Sequence, residues 1–198
     1  VAISSWPRAM PTPRQLFIFF GLIATGKSVL AEAWARQRGT AYYNSDRVRK
    51  ELAGLAPTAD RKTGWSQGIY SKEFSRLTYD TLLERASHDL RQGRPVTLDA
   101  SYQSRAERDR VRDFARQPGG VRLLFVHCTC PEPEVRRRLE ERARDPLAVS
   151  DGRWEIYCQQ RQSFEAPDEL SEDELLTLET TAPVDRLVAR LAAQVDSL

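Results

Sequence analysis

Eight consecutive residues, Gly21-Leu22-Ile23-Ala24-Thr25-Gly26-Lys27-Ser28, carry the spacing G-x-x-x-x-G-K-[ST]. Each fixed position has a chemical reason. Glycines let the backbone curl around phosphate oxygens, and free N–H groups between Gly21 and Val29 can donate to them. Lys27 brings a positive charge to the beta and gamma phosphates of a nucleotide, and the Ser28 hydroxyl can ligate magnesium. The loop therefore calls for ATP and Mg2+. Alone, it leaves open whether the terminal phosphate goes to water or to an acceptor.

A carboxylate beside that phosphate would favour an acceptor. Asp46 falls just past the second apolar segment, at the edge where ligands collect in an open parallel sheet. There it could orient an acceptor hydroxyl and take its proton. Arg49, about one helical turn on, could hold an anionic or hydroxyl-bearing group in the same pocket. The same residues also read as a plain helix start, with Ser45 or Asp46 as N-cap and Arg49 on the surface. Asp99 ends the segment "PVTLD", a place for a contact to magnesium or substrate, or for the N-cap of the next turn. Tyr70 and Ser71 precede a long helix and could line the acceptor pocket, although Tyr70 could equally be a packing residue. Trp65 could stack on a base or a sugar face.

Five arginines, Arg136, Arg137, Arg138, Arg142 and Arg144, crowd one segment, and a helix cannot aim all of them at one site. Arg138 and Arg142 are four apart and share a face. Placed over a triphosphate, they would stabilise the charge that develops during transfer. Glu140 and Glu141 allow a salt-bridged surface instead. The polar stretch from Arg142 to about Arg153 suits a lid that closes and keeps water from the phosphoryl group.

These residues need a frame. Leu16–Phe20 reads as a buried strand, with the glycine loop as the turn into a helix over Lys27–Arg38 that Gly39 ends. A strand over Ala41–Asn44 and a helix over Asp46–Leu52 follow. A polar loop spans Pro57–Gly68, and a long helix Lys72–Gln92. The pattern continues with a strand at Val96–Leu98, a helix at Arg105–Arg116, a strand at Val121–His127 and a helix at Glu132–Arg142. Helix Arg153–Phe164, strand Leu175–Glu179 and helix Val184–Val195 complete it. Five strands alternating with helices predict an α/β fold, a parallel sheet covered on both faces. His88, in a helix without a motif, and His127, at a strand end, are poor catalytic candidates.

Composition bounds the rest. The chain has 198 residues, 40% hydrophobic and 29% charged, which suits one soluble domain with a sizeable core. Residues 1–14, with Pro7, Pro11 and Pro13, read as a linker or flexible arm, and 15–198 as the domain. A chain that opens on Val1 reads as a processed product or a piece of a longer protein. No apolar run approaches the roughly 18 residues of a membrane span, so no membrane partner is expected. A net charge of +2 argues against broad coating of nucleic acid but leaves room for a short groove holding a nucleic-acid end. Three cysteines without framework spacing point to a reducing, cytoplasmic setting. Cys128-Thr-Cys130 is weak as a zinc site and reads as small strand-end residues.

From about Leu16 to about Pro167 the chain resembles the phosphate-loop kinases of the polynucleotide-kinase-like and zeta-toxin-like branch, the AAA-type ATPase-like kinase domains. "GLIATGKS" is similar to their nucleotide loop, and "NSDRVRKEL" to an acceptor-site Asp-x-x-Arg. "VTLDASYQSRAERDRVRDFA" resembles a block in which a strand-end Asp precedes an Arg-bearing helix. The resemblance implies a P-loop NTPase three-layer α/β/α sandwich with a five-stranded parallel sheet, nucleoside-kinase-like. It implies Asp46 as general base, Arg49 on the acceptor, Asp99 at the site, a substrate role for Arg105 or Arg108, and Arg138 and Arg142 near the ATP phosphates. A narrower resemblance, in "YSKEFSRLTYDTLLERASHDLRQGRPVTLDASY" and "SDGRWEIYCQQRQSFEAP", is to kinase-like domains fused behind bacterial aminoglycoside-phosphotransferase-like domains. It implies a fused phosphotransferase-like partner. The acceptor stays open between a small hydroxyl compound, a nucleotide or polynucleotide 5′ end, and an amino-sugar nucleotide. A regulatory ATP-binding module is the rival reading. The family loop often carries Gly or Ser where this chain has Ile23 and Ala24.

Overall fold

The computed structural model describes residues 14–55, 71–116, 120–144 and 153–197. Tyr70, Trp65, residues 1–13 of the expected arm and residues 145–152 of the expected lid lie outside them. Twelve elements are described. They run β1 (Gln15–Phe20), α1 (Lys27–Arg38), β2 (Ala41–Asn44), α2 (Ser45–Leu52), α3 (Lys72–Arg91), β3 (Val96–Asp99) and α4 (Arg105–Ala115). Then come β4 (Arg122–Thr129), α5 (Glu132–Arg142), α6 (Trp154–Ser163), β5 (Leu175–Glu179) and α7 (Val184–Asp196).

All strand pairs are parallel, in the order β2-β3-β1-β4-β5. β1 lies in the middle, and its side chains alternate between two cores because the strand period is two. Leu16, Ile18 and Phe20 face a core built with Leu82, Ala86 and Leu90 of α3 and Val111 of α4. Phe17 and Phe19 face the other way, onto Leu30 and Trp34 of α1 and Leu187, Val188 and Leu191 of α7. The continuous apolar run of β1 is the pattern of a strand covered on both faces. Trp34 is fully buried and meets Phe17 edge-on, with ring centroids 5.1 Å apart.

The main departure from expectation is β4, which runs on to Cys128 and Thr129 because they pair with Leu178 and Glu179 of β5, some fifty residues on. Cys128 is buried in the core and unbonded to another cysteine, and burial pushes its thiol far up.

Candidate active site

β1 delivers the glycine loop, and two of its glycines do what other residues could not. Gly21 has φ 138°, and a Cβ there would lie 2.4 Å from the Cys128 carbonyl oxygen. Gly26 has φ 83° and starts α1 without a side-chain cap. The first-turn N–H groups of α1 therefore face outward as anion donors. Ile23 and Ala24 have a structural account. They pack with Val135 and Leu139 of α5 and Tyr157 of α6 in a third small core. Ala24 adopts a left-handed φ of 61° there, a strain of about 1 kcal/mol that packing must offset. Ile23 N donates to Gln160 Oε1 of α6 at 2.8 Å, Gly21 N to the Ser101 carbonyl at 3.3 Å, and Thr180 Oγ1 to the Thr25 carbonyl. The loop is thus tied to α6, to the exit of β3 and to the exit of β5.

Two cavities open on this loop. One, of about 200 Å3, is lined by Lys27, Ser28, Tyr42, Asn44, Asp46, Arg47 and Arg142, among others. The second, of about 320 Å3, is lined by Leu30, Arg138, Thr180, Ala182, Val184 and Leu187, among others. Ala24, Gly26, Val29 and Arg142 line both. Arg142 stands at the junction and feels the charge of Asp46 across the first cavity. Burial lowers the Arg142 pKa, and Asp46 opposes that shift.

Asp99 ends β3 beside β1 and is fully buried. Its Oδ2 accepts from Tyr42 Oη at 2.9 Å and Asn44 Nδ2 at 2.5 Å. Its Oδ1 is buried with no hydrogen-bond partner. Burial pushes the carboxyl up, against the charge of Lys27 and the nearby polar groups of Ser28, Asn44 and Tyr42. A buried carboxylate oxygen with no hydrogen-bond partner, in a residue close to the Ser28 hydroxyl, offers the hard oxygens suited to magnesium, which keeps waters and takes one or two protein oxygens.

The helix start after β2 corrects the sequence reading. The N-cap of α2 is Asn44, whose Oδ1 accepts from Arg47 N at 3.0 Å, and neither Ser45 nor Asp46 takes that role. Asp46 sits in the first turn with its side chain on the first cavity. Arg49 does not share that cavity. It is buried and donates from Nη1 to Ser75 Oγ of α3 at 3.0 Å.

The arginines divide. Arg138 is held at the loop, donating to Glu134 (Nε, 2.8 Å), to the Thr180 carbonyl (Nη2, 2.6 Å) and to the Ala24 carbonyl (Nη1, 3.4 Å). Arg137 takes the salt-bridged surface, with Glu134 and Glu141. Arg136 covers the Trp154 ring at 4.8 Å. Arg105 is exposed and pairs with Asp109, lining neither cavity. Arg108 lines neither cavity. It is fully buried, bonds both oxygens of Glu169, and donates to the carbonyls of Tyr102, Gln103 and Ala166. Its donors are spent on the fold.

Sequence reading missed Tyr42, Asn44, Gln160 and Thr180. A signal existed for two of them: Tyr42 and Asn44 stand two apart on one strand and so point the same way. Among the described residues, no group of three or more His, Cys, Asp or Glu gathers as a metal site. No described helix is long and apolar enough to cross a membrane.

A model of the family described as "AAA domain" matches residues 16–167. The chain belongs to that AAA-domain family. The structure of a sugar kinase from Janibacter sp. is similar, with TM-score 0.66 and 19% identity over 93% of this chain and 95% of that one. A gluconokinase from Sinorhizobium meliloti gives 0.60 and 20% over 92% and 95%. The Mycobacterium tuberculosis APS kinase, solved with AMPPNP and APS, gives 0.62 and 19% over 93% and 99%. At these identities the likeness speaks for the fold, that of the P-loop NTPases: a five-stranded parallel sheet flanked by helices. No curated protein matches the chain.

Proposed function

We propose that this AAA-domain protein is an ATP- and Mg2+-dependent kinase that moves the gamma phosphate of ATP to a hydroxyl of a small molecule or of a nucleotide or polynucleotide 5′ end. The observation that carries the reading is the pair of cavities meeting at the glycine loop, with Arg142 at their junction. The larger has an apolar wall of Val29, Leu30, Ala182, Val184 and Leu187, suited to a base and ribose. The smaller gathers a lysine, a hydroxyl, a carboxylate and an arginine, the set that phosphoryl transfer needs.

In this reading, N–H groups of the loop and Lys27 hold the phosphates. Ser28 and Asp99 would hold Mg2+, which would neutralise charge on the nucleotide phosphates. Asp46 accepts the proton of the acceptor hydroxyl, whose oxygen bonds to the gamma phosphorus as the bond to the bridging oxygen of ADP breaks. Arg142, with Arg138 behind it, stabilises the charge spread over the transferring group. The similar structures include a sugar kinase, a gluconokinase and an APS kinase, which favours a small acceptor. The finer placement in the polynucleotide-kinase-like and zeta-toxin-like branch, and a fused phosphotransferase-like partner, belong to the same proposal.

The test is an acceptor screen with gamma-labelled ATP across sugars, aminoglycosides, nucleosides and 5′-hydroxyl oligonucleotides. We expect label on one class, and a loss of about 10²–10⁴ in rate for Asp46→Asn. ADP release that no acceptor accelerates, and that Asp46→Asn leaves untouched, would make the protein a regulatory ATPase module.

A further inference from the structure

Asp99 is held in an uneven way. Two donors, Tyr42 Oη and Asn44 Nδ2, converge on Oδ2, while the equally buried Oδ1 has no partner. The terminal torsion of an aspartate is soft and roughly two-fold. A carboxylate with no fixed donors would turn freely and present either oxygen. Two donors on one oxygen remove that freedom.

Both donors come from one strand, for a geometric reason. Asn44 is the register partner of Asp99 across β2 and β3, and Tyr42, two residues earlier, points to the same face. Each donor is itself fixed. The other end of the Asn44 amide caps α2 through Arg47 N, so its nitrogen must face the carboxylate. The Tyr42 hydroxyl lies 2.9 Å from Oδ2, and a phenol bonds a carboxylate oxygen by donating its O–H. The Arg47 guanidinium lies over the Tyr42 ring at 5.8 Å.

We infer that Tyr42 is a positioning residue for the metal-facing carboxylate: with Asn44 it grips Asp99 by Oδ2 and leaves Oδ1 turned toward Ser28 and the glycine loop. The inference rests on the kinase reading above. It also assigns a role to a residue that lines the smaller cavity. Partners that orient a ligand in this way typically contribute about 10–100-fold to metal affinity.

The test reads nucleotide and metal binding, not turnover. Fluorescence of methylanthraniloyl-ADP is titrated onto the full chain at pH 8, once in EDTA and once across a Mg2+ series. A parallel Mn2+ titration is followed by the electron spin resonance of free Mn2+. Tyr42→Phe keeps the ring and its packing and removes only the hydroxyl donor. We expect it to bind the nucleotide in EDTA as the unmodified chain does, and to lose about tenfold of the tightening by Mg2+ and of Mn2+ affinity. Asn44→Ser keeps a capping oxygen and removes the amide donor, and should move in the same direction. An unchanged response to Mg2+ and Mn2+ in Tyr42→Phe would overturn the inference and leave the kinase reading standing. No nucleotide binding by the unmodified chain would overturn both.

Discussion

Arg108 and Arg142 lie at the same end of the sheet, each facing a carboxylate, and they do opposite things. Arg108 is fully buried and bonds both oxygens of Glu169, itself 2% exposed, along with three carbonyls. Arg142 is half-buried between two cavities, feels Asp46 across one of them, and its side chain makes no hydrogen bond to a described residue. A charge taken out of water must be matched by neighbours or it destabilises the fold. Arg108 meets that demand and has nothing left for a ligand. No described residue takes any of the five side-chain donors of Arg142, and a planar fork of donors is what a phosphoryl group in transfer requires. The spent arginine belongs to the fold and the unspent one to the proposed chemistry.

That contrast can be broken by experiment, and the largest effect is expected at Arg142. Arg142→Ala should slow phosphoryl transfer about 10³-fold or more and leave the urea midpoint of unfolding where it was. Arg142→Lys should restore little, since a point charge lacks the fork. A variant that unfolds earlier but keeps its rate would erase the distinction.

Next comes Arg108→Ala, which strands Glu169 and should cost about 3–5 kcal/mol of stability, read by urea unfolding. The pair Arg108→Met with Glu169→Leu should cost less than either single change, because no buried charge is left alone. If the double variant is the worst of the three, the pair is worth more than its desolvation cost.

The smallest effect concerns His127, in the same buried region. Its ring stacks between Phe20 and Phe164, with centroids 4.7 and 5.4 Å away. Burial, then the Arg108 charge, lowers its pKa from 6.5 to about 4. Between those values the unfolded chain binds the proton and the folded one does not. Stability is therefore full above about 6.5 and is lost as pH falls toward about 4. The part lost should be on the order of 1 kcal/mol, given the ring's partly exposed edge. Melting temperature followed over that window should slope upward with pH, and His127→Phe should flatten the slope. An equal slope in both proteins would assign it to other groups.

Much of this was legible beforehand. α1 starts at Lys27 and stops before Gly39 because glycine signals of both kinds are local: a turn that only Gly26 tolerates and a left-handed cap at Gly39. Period-two and period-3.6 patterning placed the strands and helices to within a residue or two. The ends that moved are those decided by distant partners, such as Cys128 and Thr129, drawn into β4 by β5. The cap of α2 moved to Asn44 because its amide has a second partner in Asp99, a residue more than fifty positions away.

The glycine loop and the alternation of five strands with helices were determined by the sequence alone, because spacing and periodicity are properties of neighbouring residues. Which arginine is buried and which faces a cavity was not. Arg105, Arg108, Arg138 and Arg142 are the same side chain on amphipathic helices. Only the packing of α4 against the segment that carries Glu169, and of α5 against the loop, decides which of their donors are consumed. The grip on Asp99 by Tyr42 and Asn44 likewise exists only once β2 pairs with β3. Hydrogen-bond satisfaction is a relation between distant parts of the chain, and the tertiary structure alone sets it.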